Sequence, residues 1–194
     1  LASFESQAFG GNIADYREKV NAIDGVGGCK VYRAWAGGGT VKLVFMTSEY
    51  KPPAADFVTQ VQTKIDPVVN AGDGVGLAPI DHKVTVVGAT DSAIAVGLYL
   101  TFSAGTYDTY KAAIAAVIDA YFLELNKSWQ STQHVTFEDV SNSGLIVRIS
   151  QIESRILAIS GIADIQNTTL NGIAANLTLG ADELAVRGAV TNGS

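Results

Sequence analysis

The stretch Arg17–Met46, REKVNAIDGVGGCKVYRAWAGGGTVKLVFM, decides how the chain is read. Ile13, Tyr16, Val20 and Ile23 recur at helical spacing. Asn12 stands where an N-cap belongs, Asp15 falls in the first turn, and Gly25 stops the run. A helix is therefore predicted from Ile13 to Ala22 or Ile23. Two strand-like runs follow, CKVYRAW at Cys29–Trp35 and VKLVFM at Val41–Met46. Between them Gly37, Gly38 and Gly39 supply the positive φ a hairpin turn needs. A phosphate-binding loop would need a lysine and then Ser or Thr after the glycines, at a helix start. Here Thr40 leads into a β run, so the hairpin is the reading.

Outward from that seed, helix and strand signals continue to mix. KPPAADFVTQVQTKID reads as a second helix, with Pro53 in its first turn and Phe57, Val58, Val61 and Ile65 on one face. AGDGVGLAPIDHKVTVVGA carries a glycine-rich loop and then a strand at Lys83–Gly88. A turn at Thr90-Asp91 separates it from SAIAVGLYLTF. That run is nearly all apolar, which fits burial on both faces or a central place in a sheet. The longest helix is TYDTYKAAIAAVIDAYFLELNK, with Tyr107, Tyr110, Ile114, Val117, Ile118, Tyr121, Phe122 and Leu125 at helical spacing. Its tyrosines suit core packing first and an interface second.

SWQSTQHVTFEDVSNSG reads as a polar connector with one short strand. Ser150 and Glu153 form a capping-box pattern, placing a fourth helix over Gln151–Ile159. IADIQNTTL and AANLTL flank Asn171-Gly172, the strongest short hairpin signal. ELAVRGAV adds an edge strand.

Ala22-Ile23-Asp24-Gly25-Val26 is echoed by Ala158-Ile159-Ser160-Gly161-Ile162. Each closes a helix and opens a strand. Two readings are open: an internal duplication with permuted element order, or the recurrence of a common helix–glycine–strand joint. The expected fold is α+β: two small lobes, 1–90 and 91–194, each a mixed or antiparallel sheet with two helices on one face.

Composition bounds the function. Of 194 residues, 47% are hydrophobic and 16% charged, enough apolar material for a buried core. The net charge of −6 opposes nucleic-acid binding and attachment to anionic membranes. The longest apolar run, near Ala93–Phe102, is too short to span a bilayer. Cys29 is the one cysteine, so no intrachain disulfide forms. The chain opens on Leu1 and not on methionine, which reads as a piece of a longer protein or a processed chain.

Gly72, Gly74 and Gly76 resemble a dinucleotide fingerprint, but that loop must follow a strand and open a helix. Here a helix precedes and a strand follows. Asp81-His82 could be half of a nucleophile relay, yet no G-x-S-x-G elbow exists, and strand alternation sends the two side chains to opposite faces. His134 with Glu138 and Asp139 would be a sparse metal cluster; Asp15 with Glu18 reads as a solvated helix face. Cys29 beside Lys30 reads as a packed thiol. No catalytic residue, cofactor-binding residue or metal ligand is assigned. A small-molecule enzyme or ligand-binding domain with a site near Gly72–His82 stands as the alternative.

The ordered series of motifs resembles the baseplate J-like family of contractile phage tails. The matching positions are Gly11-Asn12, Ala14-Asp15-Tyr16, Gly25-Val26, Val31-Tyr32 with Trp35, and Val41–Phe45. GLAPIDHKVTVVGA, YKAAIAAVIDAYFLEL, ISQIESRILAISGIADI and LNGIAANLTLGADELAVRGAV continue the match in order. The resemblance implies a structural protein of the baseplate wedge and not an enzyme. Its implied partners are other baseplate subunits and copies of itself around a central hub, in a virion tail assembled in the bacterial cytoplasm, without stable membrane insertion. The resemblance implies that complete family members usually carry an N-terminal portion as well, which this sequence is expected to lack.

Overall fold

A computed structural model describes residues 10–136 and 139–193. Along the chain the elements are α1 (Ile13–Asn21), β1 (Val26–Arg33), β2 (Thr40–Thr47), α2 (Ala55–Ile65), β3 (Lys83–Gly88), β4 (Thr90–Phe102), α3 (Tyr107–Lys127), β5 (Gln133–Val135), β6 (Val140–Asn142), β7 (Ile146–Val147), α4 (Ile149–Leu157), β8 (Ile162–Leu170), β9 (Leu177–Thr178) and β10 (Glu183–Asn192). Short 3₁₀ turns occupy Val68–Asn70 and Trp129–Thr132. The fold is α+β, with helices set against small sheets. Two compact units emerge: residues to Thr90 together with Trp129–Ser143, and Asp91–Ser128 together with Gly144–Ser194.

In the first unit the sheet order is β1-β2-β3. The β1–β2 hairpin is antiparallel, pairing Cys29 with Phe45 and Val31 with Leu43. β2 and β3 are parallel, pairing Leu43 with Val86, so α2 serves as the crossover. α1 packs on β1 and α2 on β3. Tyr16, Val20, Cys29, Val31, Leu43, Phe45, Val61, Ile65, Val84 and Val86 form the core on that face. By strand alternation Lys30, Val44 and Met46 point to the other face, and all are fully buried. There Trp129 lies under the Lys30 ammonium, 4.5 Å from ring centre to Nζ.

In the second unit the order is β10-β4-β8, with β4 antiparallel to β8. α3 packs on β10 and α4 on β8. The two sheets thus share one plan: a central strand, an antiparallel neighbour carrying one helix, and a third strand carrying the other. The chain order of the parts differs. The echoed joints match in geometry. Ala22 and Ala158 are helical C-caps with ψ −8° and −11°, and Gly25 and Gly161 follow with φ 87° and 104°. Val26 N donates to Ile23 O, and Ile162 N to Ile159 O.

Several local expectations need correction. Pro53 precedes the α2 N-cap, Ala54, and packs where a Cβ on Gly88 would fall 2.6 Å from its Cγ. No turn separates β3 from β4; only Ala89 lies between them. β4 is central, but it alternates: Ile94, Val96 and Leu98 are buried while Ala93, Ala95 and Tyr99 are exposed.

α4 begins at Ile149 with Arg148 as N-cap, so Ser150 lies inside the helix and makes no capping box. Its first donors are satisfied from elsewhere: Ile149 N by Asn176 Oδ1 at 3.0 Å, and Arg148 N by Tyr121 Oη at 3.0 Å. Asn171 and Gly172 do turn with φ 50° and 79°, but the hairpin ends after a single bridge. β8 then pairs with β4, and β9 with β7. The polar connector contains two strands and the fully buried Trp129.

Candidate subunit-contact surface

The glycine-rich loop between α2 and β3 is held as a fixed body. Asp66, almost fully buried, accepts from Gly72 N at 3.1 Å and from Val84 N at 2.8 Å. Leu77 N and Ala78 N donate to the last carbonyls of α2, on Lys64 and Ile65. Gly72 and Gly74 have φ of 88° and 70°, and a Cβ on Gly76 would collide with the Ile65 carbonyl. The glycines therefore answer to turn geometry and close backbone approach. The amides nearest the helix terminus are already spent on its own carbonyls.

From this anchored backbone, aliphatic side chains point outward. Val68, Val69, Val75, Leu77 and Ile80 are all exposed, Val69 at 93% and Ile80 at 72%. Exposed aliphatic groups gathered on one ordered loop are a candidate surface for another protein to cover. Trp35, at the end of the β1–β2 hairpin, is 49% exposed. Beside the loop, Gly38–Thr40, Ala71–Asp73, Asp81 and Lys83 line an open depression of about 440 Å³.

His82 faces elsewhere. Its Nδ1 lies 2.8 Å from Tyr16 Oη, and the two rings stack at 5.9 Å. Burial, then Asp66 and Asp15, hold the Tyr16 hydroxyl well above its ordinary ionisation range. Asp81 and His82 do not alternate along a strand, since β3 begins only at Lys83. They sit in the preceding turn, Asp81 exposed with φ 66°.

The remaining candidates are also separated. Asp15 accepts from Lys19 Nζ and Gly11 N, both at 2.8 Å, while Glu18 is exposed. His134 is exposed on β5, Asp139 closes a turn with Thr136, and Glu138 lies outside the described residues. Among the described residues no three His, Cys, Asp or Glu groups gather as metal ligands. Cys29 is fully buried, which pushes its thiol up to about 12; Arg17 pulls weakly the other way. None of the described helices is long and apolar enough to cross a membrane.

The polar residues that organise the structure carried no periodic signal. Gln62, Asp66, Asn126, Gln130 and Gln133 each satisfy strand or loop backbone from a neighbouring element. A carboxamide followed by nothing distinctive does not announce that task in sequence.

Comparison with known proteins gives a consistent assignment. Over 184 residues the chain is 31% identical to the uncharacterized protein YqbT of Bacillus subtilis (strain 168), and over 185 residues 28% identical to the phage-like element PBSX protein XkdT of the same strain. Each alignment spans 95% of this chain and 48% of the relative, so the chain spans about half the length of these curated relatives. Its fold is similar to a chain of the anti-feeding prophage baseplate, solved by cryo-electron microscopy with 6-fold symmetry. The TM-score is 0.56 at 10% identity, covering 89% of this chain and 36% of that one. Residues 8–88 match the Baseplate J-like central domain and residues 94–193 the Baseplate J-like protein C-terminal domain, and the chain belongs to the baseplate J-like family.

Proposed function

We propose that this chain is a structural part of a phage-like contractile tail baseplate and not an enzyme. The observation that carries the reading is the presence of two baseplate J-like domains, central then C-terminal, across nearly the whole chain. Its partners are other baseplate subunits and further copies of itself, arranged around the central hub of a virion tail and assembled in the bacterial cytoplasm. Its mechanism is mechanical: contacts between rigid lobes hold the plate in one arrangement until a signal lets them change.

The anchored loop with Val68, Val69, Val75, Leu77 and Ile80 supports this reading, because it offers an apolar surface on a fixed backbone. The acidic balance disfavours nucleic acid as the partner. The test is electron microscopy of the parent tail particle with this chain labelled. Density at the baseplate is expected; a complete, infectious tail without the label would overturn the assignment.

A further inference from the structure

β1 is an edge strand, yet the outward backbone groups of Cys29 and Val31 are not free. In the antiparallel hairpin, alternate residues of β1 turn their N–H groups away from β2. Cys29 N donates to Gln130 Oε1 at 2.7 Å, and Val31 N donates to Gln133 Oε1 at 3.0 Å. Gln133 Nε2 donates back to the Val31 carbonyl at 2.8 Å. Two side-chain amides thus reproduce, at positions i and i+2, the bonds a neighbouring strand would make.

The same short segment, Trp129–Gln133, is fastened at each end. Lys30 Nζ donates to Thr132 Oγ1 at 2.6 Å and to Ser143 O at 3.1 Å, above the Trp129 ring. Arg17 Nη2 donates to Gln133 Oε1 at 2.8 Å. Asn21 Nδ2 donates to Gln130 Oε1 at 3.0 Å.

We infer that Trp129–Gln133 is an edge cover, which keeps β1 from pairing with β1 of a second copy of this chain. An uncovered edge presents a row of donors and acceptors that template strand addition. Two β1 edges can pair antiparallel about a two-fold axis, so a second copy needs no other sequence to fit. The cover closes the edge without adding a strand, because a carboxamide has a donor and an acceptor but no further edge to offer.

Backbone amide exchange and light scattering on the full chain test this. In Gln130→Ala with Gln133→Ala, the Cys29 and Val31 amides are expected to exchange about tenfold faster or more, while Leu43 and Val44 keep their protection. Dimers are expected to appear as concentration rises. A second variant replaces the Gln130 amide by a covalent tether: a Cβ at Gly28 lies 3.4 Å from Gln130 Cβ, near disulfide reach, and 2.9 Å from the flexible Met46 Cε, which must shift. Gly28→Cys with Gln130→Cys, in a Cys29→Ala background, is expected to stay monomeric when oxidised. Unchanged protection at Cys29 and Val31, loss of protection across the whole sheet at once, or a double-alanine variant that stays monomeric would each overturn the inference.

Discussion

Gln62 and Asn126 hold matching places in the two units. Gln62, on α2, accepts from Val86 N at 2.7 Å and donates to Val84 O at 2.9 Å along β3. Asn126, on α3, accepts from Ala185 N at 2.8 Å and donates to Ala185 O at 3.1 Å on β10. Each helix packs on the third strand of its sheet and ties down that strand with one carboxamide. Removing the amide leaves a buried N–H and C=O without partners. Asn126→Leu is expected to cost about 2–4 kcal/mol in urea unfolding. Gln62→Leu should cost less, since Gln62 is only half-buried and water can reach the strand. Equal losses would show that burial does not set the difference.

The two echoed joints respond unequally to the same change. Gly25 and Gly161 both need positive φ, so alanine strains either one. At Gly25 the added methyl meets the tip of the Phe57 ring at 3.1 Å, which can shift. At Gly161 it collides with the Tyr110 hydroxyl, itself bonded to the Ala104 carbonyl at 3.0 Å. Gly25→Ala is expected to cost about 1–2 kcal/mol, and Gly161→Ala more. Thermal or urea denaturation of the two variants ranks them directly.

Cys29 makes the fold sensitive to high pH. Its thiol is raised by burial from 9.0 to about 12, so the native state keeps a proton that the unfolded chain gives up. Its contribution is fully present below pH 9 and is lost as pH rises from there toward 12. A thiol reagent at neutral pH should react only at the rate of unfolding. Cys29→Ala should flatten the alkaline fall in stability; rapid labelling of the native protein would contradict the burial.

Asp81→Ala with His82→Ala separates the structural reading from a ligand-binding one. The loss of the Tyr16–His82 bond should lower stability by about 1 kcal/mol. Incorporation into tail particles should persist. A thermal shift with a small molecule that vanishes in this variant would favour a site near Gly72–His82 instead.

The exposed loop gives the sharpest separation of fold from assembly. Val69→Asp with Ile80→Asp places charges on side chains that touch solvent, so the melting temperature of the isolated chain should hardly move. Incorporation into particles should fall sharply, because a buried unpaired carboxylate is costly in an interface. Normal incorporation would move the contact surface away from this loop.

How much of this was legible depends on where the information lies. Periodicity found α1, α2 and α3, and the glycines of the first hairpin found its turn. Those signals are local: a 3.6-residue repeat or a positive-φ residue needs no knowledge of distant chain. The Asn171-Gly172 turn was also local, but the partner of β8 was not. β8 pairs with β4, where Ile162 and Leu170 are buried, and Leu177–Thr178 pair instead with the distant β7, a partner that no local pattern announces. The α4 start failed for a related reason, since Asn176 and Tyr121 cap it from a distance. Nothing in SWQSTQHV marks Trp129 as core, because a single tryptophan amid polar residues has no period. The order of helix, glycines and strand marks Ala71–His82 as a connector, while the exposure of Val68, Val69 and Val75 depends on the fixed backbone beneath them and has no sequence signal.

The return of residues 129–143 to the first unit bears on inheritance as well as folding. A crossover near position 90 looks harmless along the sequence. It would nonetheless graft a foreign Trp129, Gln130 and Gln133 onto the native β1. Viable recombinants should therefore carry matched β1 and connector sequences from one parent, or break outside both.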